Sequence, residues 1–234
     1  MASILVAAAT VAGCSGGSGA PSAPATSSPT PSPSRSGADR ALASLVLSSR
    51  SASQAGLPVQ ERPAPDGTAL RGKNAHTLDL CNAHFPSEAK RTARDQVDYG
   101  PSKSATFASE EVVRYSGDGA VAAYDQVQRA ARTCPTSVKE GSATVTNVTV
   151  QPRNSALVAS QLTVTQQLTS QGQKFWTVAV YQYDGNIFVG IYTYLPTRVE
   201  ALQYADALAG LVAKRLNVSV GTPVSLVLMR ARLP

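Results

Sequence analysis

Three cysteines and two histidines hold most of the nucleophilic and metal-ligating potential of the chain: Cys14, Cys81, Cys134, His76 and His84. Cys81 and His84 stand in a Cys-x-x-His spacing that could form a thiol–imidazole pair or half of a zinc site. A tetrahedral zinc site needs about four ligands, and only the distant Cys134 remains to extend this one. A bridge between Cys81 and Cys134 fits better. It closes a loop of just over fifty residues, worth on the order of 4 kcal/mol by chain-entropy arithmetic. Glu110-Glu111 is an adjacent acidic pair in a strand pattern. Glycosidase chemistry needs two converging carboxylates, and no spacing here identifies them. Asp118 sits in Ser116-Gly117-Asp118-Gly119, without the acidic series and closing Glu of a calcium loop; a helix N-cap suits it. Gly-x-Ser-x-Gly, His-Glu-x-x-His and phosphate-loop motifs are absent from the sequence. The expectation is a protein that is not an enzyme and carries no cofactor and no metal.

Cys14 belongs to a different chemistry. Residues 4–13 form an apolar stretch of signal-peptide length, too short to span a bilayer. It ends in Val11-Ala12-Gly13-Cys14, which resembles a bacterial lipobox. That resemblance implies removal of residues 1–13 and acylation of Cys14. The n-region Met1-Ala2-Ser3 departs from the pattern in lacking Lys or Arg. Residues 14–38 are almost wholly Ser, Gly, Ala, Pro and Thr, with Arg35 the one charge. Such a composition buries no apolar surface and reads as a disordered tether. The expected location is the extracytoplasmic face of the cell membrane, held by the lipid. That compartment favours disulfides.

The folded part must then lie beyond residue 38. The chain has 234 residues, 43% of them hydrophobic and only 15% charged, with a net charge of +6. This supports one domain with a real core. Mild basicity suits anionic partners such as wall polymers or lipid headgroups. The basic residues are scattered, without the clustered footprint of a nucleic-acid binder.

Apolar spacing defines the elements. Leu42, Leu45 and Val46 mark a short helix over 39–48, and a strand is expected near Val59. Residues 94–99, 104–115, 142–151, 157–169, 173–183 and 186–194 are β-patterned. Ala120, Tyr124, Val127 and Ala131 line one face of a helix over 118–132, stopped by Pro135. A Thr197–Glu200 capping box opens a last helix to about 215, with Val199, Leu202, Leu208, Val212 and Leu216 as its stripe. Residues 217–234 form a C-terminal tail. The order predicts an α+β domain over 39–216: an antiparallel sheet of about six strands with two main helices packed on one face.

The hairpin at Asp184-Gly185 reads as a type I′ turn. It sets Val180 opposite Val189 and Val178 opposite Ile191. Tyr181, Phe188 and Tyr192 then share the other face, with Tyr183 and Tyr194 in the same parity. The neighbouring strand is expected to add Thr163 and Thr165. A face mixing tyrosines with hydroxyls suits a ligand groove for a glycan or lipid. Alternatively, residues 39–80 fold across it and the tyrosines are core.

Leu80-Cys81, Val112-Val113-Arg114-Tyr115 leading into Gly119-Ala120-Val121-Ala122-Ala123-Tyr124, and Ala131-Arg132-Thr133-Cys134 together resemble actinobacterial sensor-domain lipoproteins. These are similar to the extracellular sensor domain of mycobacterial PknH-type kinases. The resemblance spans about residues 40–216. It implies an extracytoplasmic α+β domain, a disulfide and an unspecified ligand in a cleft, with no catalytic residues. The second disulfide usual in the kinase domains is missing. The expected function is a lipid-anchored binding or sensor-like module of the envelope; an alternative is a structural lipoprotein that partners an envelope protein.

Overall fold

The structure is a computed structural model that describes residues 42–54, 56, 60–63, 78–100 and 107–220. Cys14, the expected signal and tether segments over 1–38, His76 and the residues beyond 220 lie outside the described residues. The chain order is α1 (Ser49–Gln54), β1 (Gln60–Pro63), a 3₁₀ turn (Pro86–Lys90), β2 (Arg91–Gly100), β3 (Ala108–Tyr115), α2 (Gly119–Arg132), β4 (Ser137–Glu140), β5 (Ala143–Arg153), β6 (Ser160–Ser170), β7 (Gln173–Asp184), β8 (Ile187–Leu195) and α3 (Arg198–Val220). The fold is α+β, as the patterning predicts. Among the described residues the sheet has eight antiparallel strands in the order β1-β2-β3-β8-β7-β6-β5-β4. The two short edge strands, β1 and β4, account for the excess over six.

The topology explains where the helices go. From β3 at the centre, α2 carries the chain to the far edge at β4, and β5 to β8 then meander back to pair with β3. α2 therefore crosses one face of the sheet. It buries Ala120, Ala123, Val127 and Ala131 against Val113, Leu162, Val164 and Phe188. α3 leaves β8 at the centre and folds over the opposite face, on Val178, Val180, Val189 and Ile191. The two helices thus lie on opposite faces, not together on one. Each amphipathic stripe demands an apolar partner, but the sheet supplies one on both sides.

The α3 contact is also closer than the expected stripe implies. Its buried positions are Ala201, Ala205, Leu208, Ala209, Val212, Ala213 and Leu216, while Val199 is exposed. Alanines at fourfold spacing bring the helix backbone down to the sheet. There Thr193 Oγ1 donates to the Ala201 carbonyl at 2.8 Å and Gln182 Nε2 to that of Ala209 at 3.0 Å. Thr197 caps the helix, its Oγ1 accepting from the Glu200 amide and donating to the Glu200 carboxylate. Leu42, Leu45 and Leu47 join this same core.

Candidate functional site

The tyrosine face is covered only in part. α2 and the segment Leu78–Phe85 pack over one end of it. Beside them, a cleft of about 250 Å³ opens over five strands. Its floor comes from alternate residues of β2 (Arg94, Gln96), β3 (Ser109, Glu111), β8 (Tyr192, Tyr194), β7 (Thr177, Ala179, Tyr181) and β6 (Val164, Gln166, Leu168). Asp79, Leu80 and Glu140 close one side. The floor residues share one face because strand residues two apart point the same way.

The wall beside Leu80 is held covalently. Cys81 and Cys134 are disulfide-bonded, with Cα atoms 5.5 Å apart. The bridge joins the segment to the residues just after α2. Cys81 and Asn82 both adopt positive φ, 57° and 53°, a region costly for residues other than glycine. This turn aims the Cys81 amide at Glu140 Oε1 (2.5 Å) while the Asn82 side-chain amide donates to the Lys139 carbonyl at 2.7 Å. Burial raises the Glu140 carboxyl above its ordinary range, and the backbone amides of Cys81 and Asn82 oppose this. With its sulfur in the bridge, Cys81 is not a thiol partner for the exposed His84. Among the described residues, no group of three or more His, Cys, Asp or Glu is placed to hold a metal.

The aromatic residues divide into lining and core. The Tyr181 and Tyr192 rings meet edge to face, 5.8 Å between centroids. Burial pushes both phenols up; Tyr192 works against the rise at Tyr181, and Tyr181 adds to the rise at Tyr192. The Tyr194 ring is partly exposed, while its hydroxyl turns inward to Ser109. Phe188 is fully buried between Tyr115 and Tyr181. It supports the site from below and does not line it.

Thr163 and Thr165 lie elsewhere. They pair with Val180 and Val178 and so belong to the α3 face, whereas Leu162 pairs with Tyr181 and Val164 with Ala179. The alternation within β6 is as expected, but its apolar half meets the tyrosines. The polar floor of the cleft is instead Gln166 and Thr177. Gln166 Oε1 and Thr177 Oγ1 are buried without a hydrogen-bond partner among the described residues. Sequence alternation identified neither, because a Thr or Gln in a two-sided sheet has no face written into it. Arg94 and Glu111 form a buried ion pair in the floor. Glu110 points to the other side, so the adjacent acidic pair is split across the sheet. Asp118 occupies the N-cap position of α2, yet its side chain makes no cap bond and pairs with Lys90.

The hairpin that orders this face differs by one step from the expected turn. Asp184 pairs with Ile187, leaving Gly185 and Asn186 as the loop. Among these two only Gly185 has positive φ, whereas type I′ needs it at both. Val180 therefore faces Ile191. A slip of two in register keeps every side chain on its predicted face. Gly190 consequently lies opposite both Tyr181 and Glu111, in the middle of the floor. A Cβ there would collide with the Tyr192 hydroxyl oxygen and come within 2.8 Å of its ring. Gly190→Ala is expected to displace Tyr192 and to cost about 1–2 kcal/mol. A melting midpoint lowered by roughly 3–6 °C would record this; an unchanged midpoint would mean the ring finds an equal seat elsewhere.

Among solved structures, the chain is similar to the extracellular domain of PknH from Mycobacterium tuberculosis, at 16% identity and a TM-score of 0.46, covering 75% of this chain and 96% of that one. No family model matches the chain, and no curated protein matches it. Among the described residues, no helix is long and apolar enough to cross a membrane.

Proposed function

We propose that this chain is a lipid-anchored, extracytoplasmic binding module, not an enzyme, whose tyrosine-lined cleft receives a small ligand. The observation that carries the reading is the cleft floor. Tyr181, Tyr192 and Tyr194 line the same cleft as Gln166 and Thr177, whose Oε1 and Oγ1 are buried with no hydrogen-bond partner among the described residues. A buried polar atom left unpaired costs about 1–3 kcal/mol. A ligand or an ordered water that supplies the partner recovers that cost. The Cys81–Cys134 bridge is consistent with an oxidising compartment, and Val11-Ala12-Gly13-Cys14 supplies the anchor.

Two experiments test the two halves of the reading. Expressed in an actinobacterial host, the full chain should fractionate with membranes, and Cys14→Ser should release it. Unchanged membrane association of that variant removes the lipid anchor. A thermal-shift screen of the oxidised domain against glycans, muropeptides, lipids and anionic wall polymers should return a binder, since a ligand of the folded state raises the midpoint by mass action. The shift should vanish in Tyr192→Ala. A screen with no shift in any class shifts the reading to a lipoprotein that partners another envelope protein.

A further inference from the structure

The charge of the cleft opposes the charge of the chain. The whole protein is at +6, which favours anionic partners. The cleft contains one cation and three acids: Arg94 with Asp79, Glu111 and Glu140. Arg94 is committed to Glu111 within the floor. Glu140 is held by the backbone amides of Cys81 and Asn82, not by a cation. Asp79 is exposed at the rim, with no ion pair to a described residue. A ligand on this floor therefore meets two carboxyl groups on one wall and three tyrosines beneath. Thr177, only 4% exposed, presents its unpaired hydroxyl from the floor, and the Gln166 carbonyl oxygen presents an acceptor beside it.

Each of these features selects the same chemistry. Carboxylates without a cationic partner attract cations. Tyrosine ring faces attract them through the ring quadrupole. An unpaired amide carbonyl calls for an N–H or O–H donor. A phosphate or carboxylate ligand would bring only acceptors and negative charge to this wall. Resting on the binding reading above, we infer that the cleft recognises an organic ammonium group, a primary amine carried on a compact polar body. An amino sugar and the free amine of a peptide share this chemistry.

The test is calorimetric titration of the oxidised domain with four probes: glucosamine, N-acetylglucosamine, lysine amide and glucose 6-phosphate. Glucosamine and lysine amide should bind, and whichever is tighter distinguishes the sugar source from the peptide source. Asp79→Asn should weaken the amines by about three- to fivefold. Glu140→Gln keeps an acceptor for the Cys81 amide and should weaken them by roughly tenfold or more. Both variants should melt as the parent does without ligand. Affinity should also fall as salt is raised from about 0.05 to 0.5 M. If N-acetylglucosamine or glucose 6-phosphate binds as well as the amines, with loss on Tyr192→Ala, the ammonium inference is overturned and the binding module stands. If none of the four probes binds, the ammonium inference is overturned; the binding reading then rests on the thermal-shift screen.

Discussion

Replacing both bridge cysteines, as Cys81→Ala with Cys134→Ala, is expected to destabilise the domain by about 4 kcal/mol. The bridge spans a sequence separation of 53, and the unfolded chain without it regains the freedom of a loop that long. For a domain of this size the midpoint should fall by roughly 8–16 °C, which calorimetry of the two proteins under identical conditions would measure. The loss has a second, local part. Cys81 and Asn82 stand in left-handed backbone, and the bridge is the covalent restraint on that turn. Without it the Cys81 amide and Glu140 lose their fixed geometry, so amine binding should weaken more than global stability alone requires. A variant whose midpoint falls by less than about 2 °C would mean that packing of Leu78, Leu80 and Phe85 holds the wall by itself.

The pairing of Cys81 with Cys134 was legible because it follows from counting: three cysteines, one of them in a segment that resembles a lipobox. Strand positions were legible for the same kind of reason. A period of two is visible in 173–183 and 186–194 whatever the partner; the observed β7 ends one residue later, and β8 is shifted by one residue. What each strand faces is a different matter. In a sheet covered on one side, polarity names the core face. Here α2 and α3 cover opposite sides, so Leu162 and Thr163 are both buried, and polarity no longer says which of them meets Tyr181. The same ambiguity put both helices on one face. The decision rests on the crossover from β3 to the far edge, a long-range feature that no local window contains.

The site was legible in its aromatic half. Tyr181 and Tyr192 line the cleft as their parity predicts. Its polar half was not, because Arg94, Glu111, Gln166, Thr177 and Glu140 come from five strands and converge only through sheet order. Glycine at 190 is a partial exception. A Gly among Ile187, Phe188, Val189 and Ile191 signals a close approach, here that of the Tyr192 ring.

Behind the cleft, on the opposite face, a second prediction concerns Glu110. Its carboxyl is buried, and desolvation pushes it up from an ordinary value of 4.5 to about 7, against the hydrogen bonds from the Leu47 amide and Tyr99 and the nearby charge of Arg215; Asp95 adds to the rise. The hydrogen-bond count agrees. The Tyr99 hydroxyl lies 2.8 Å from both the Leu47 carbonyl oxygen and Glu110 Oε2, and it has one proton for two acceptors. With Glu110 protonated, Tyr99 donates to Leu47 and the carboxyl donates to Tyr99, while Oε2 still accepts from the Leu47 amide at 2.9 Å. Because the folded-state value lies above the unfolded one, the folded chain keeps a proton that the unfolded chain releases. The stability from this group is full below about pH 4.5 and is lost as pH rises through about 7, a total of roughly 3 kcal/mol. Glu110→Gln removes the titrating proton and keeps an acceptor for the Leu47 amide. The stability difference between the variant and its parent, from denaturant titrations, should therefore move in the variant's favour by roughly 2–3 kcal/mol between pH 4.5 and 8. Taking the difference cancels the other carboxylates. A difference that stays constant across that range would show that Glu110 is ionised in the folded protein throughout, with Arg215 offsetting its burial.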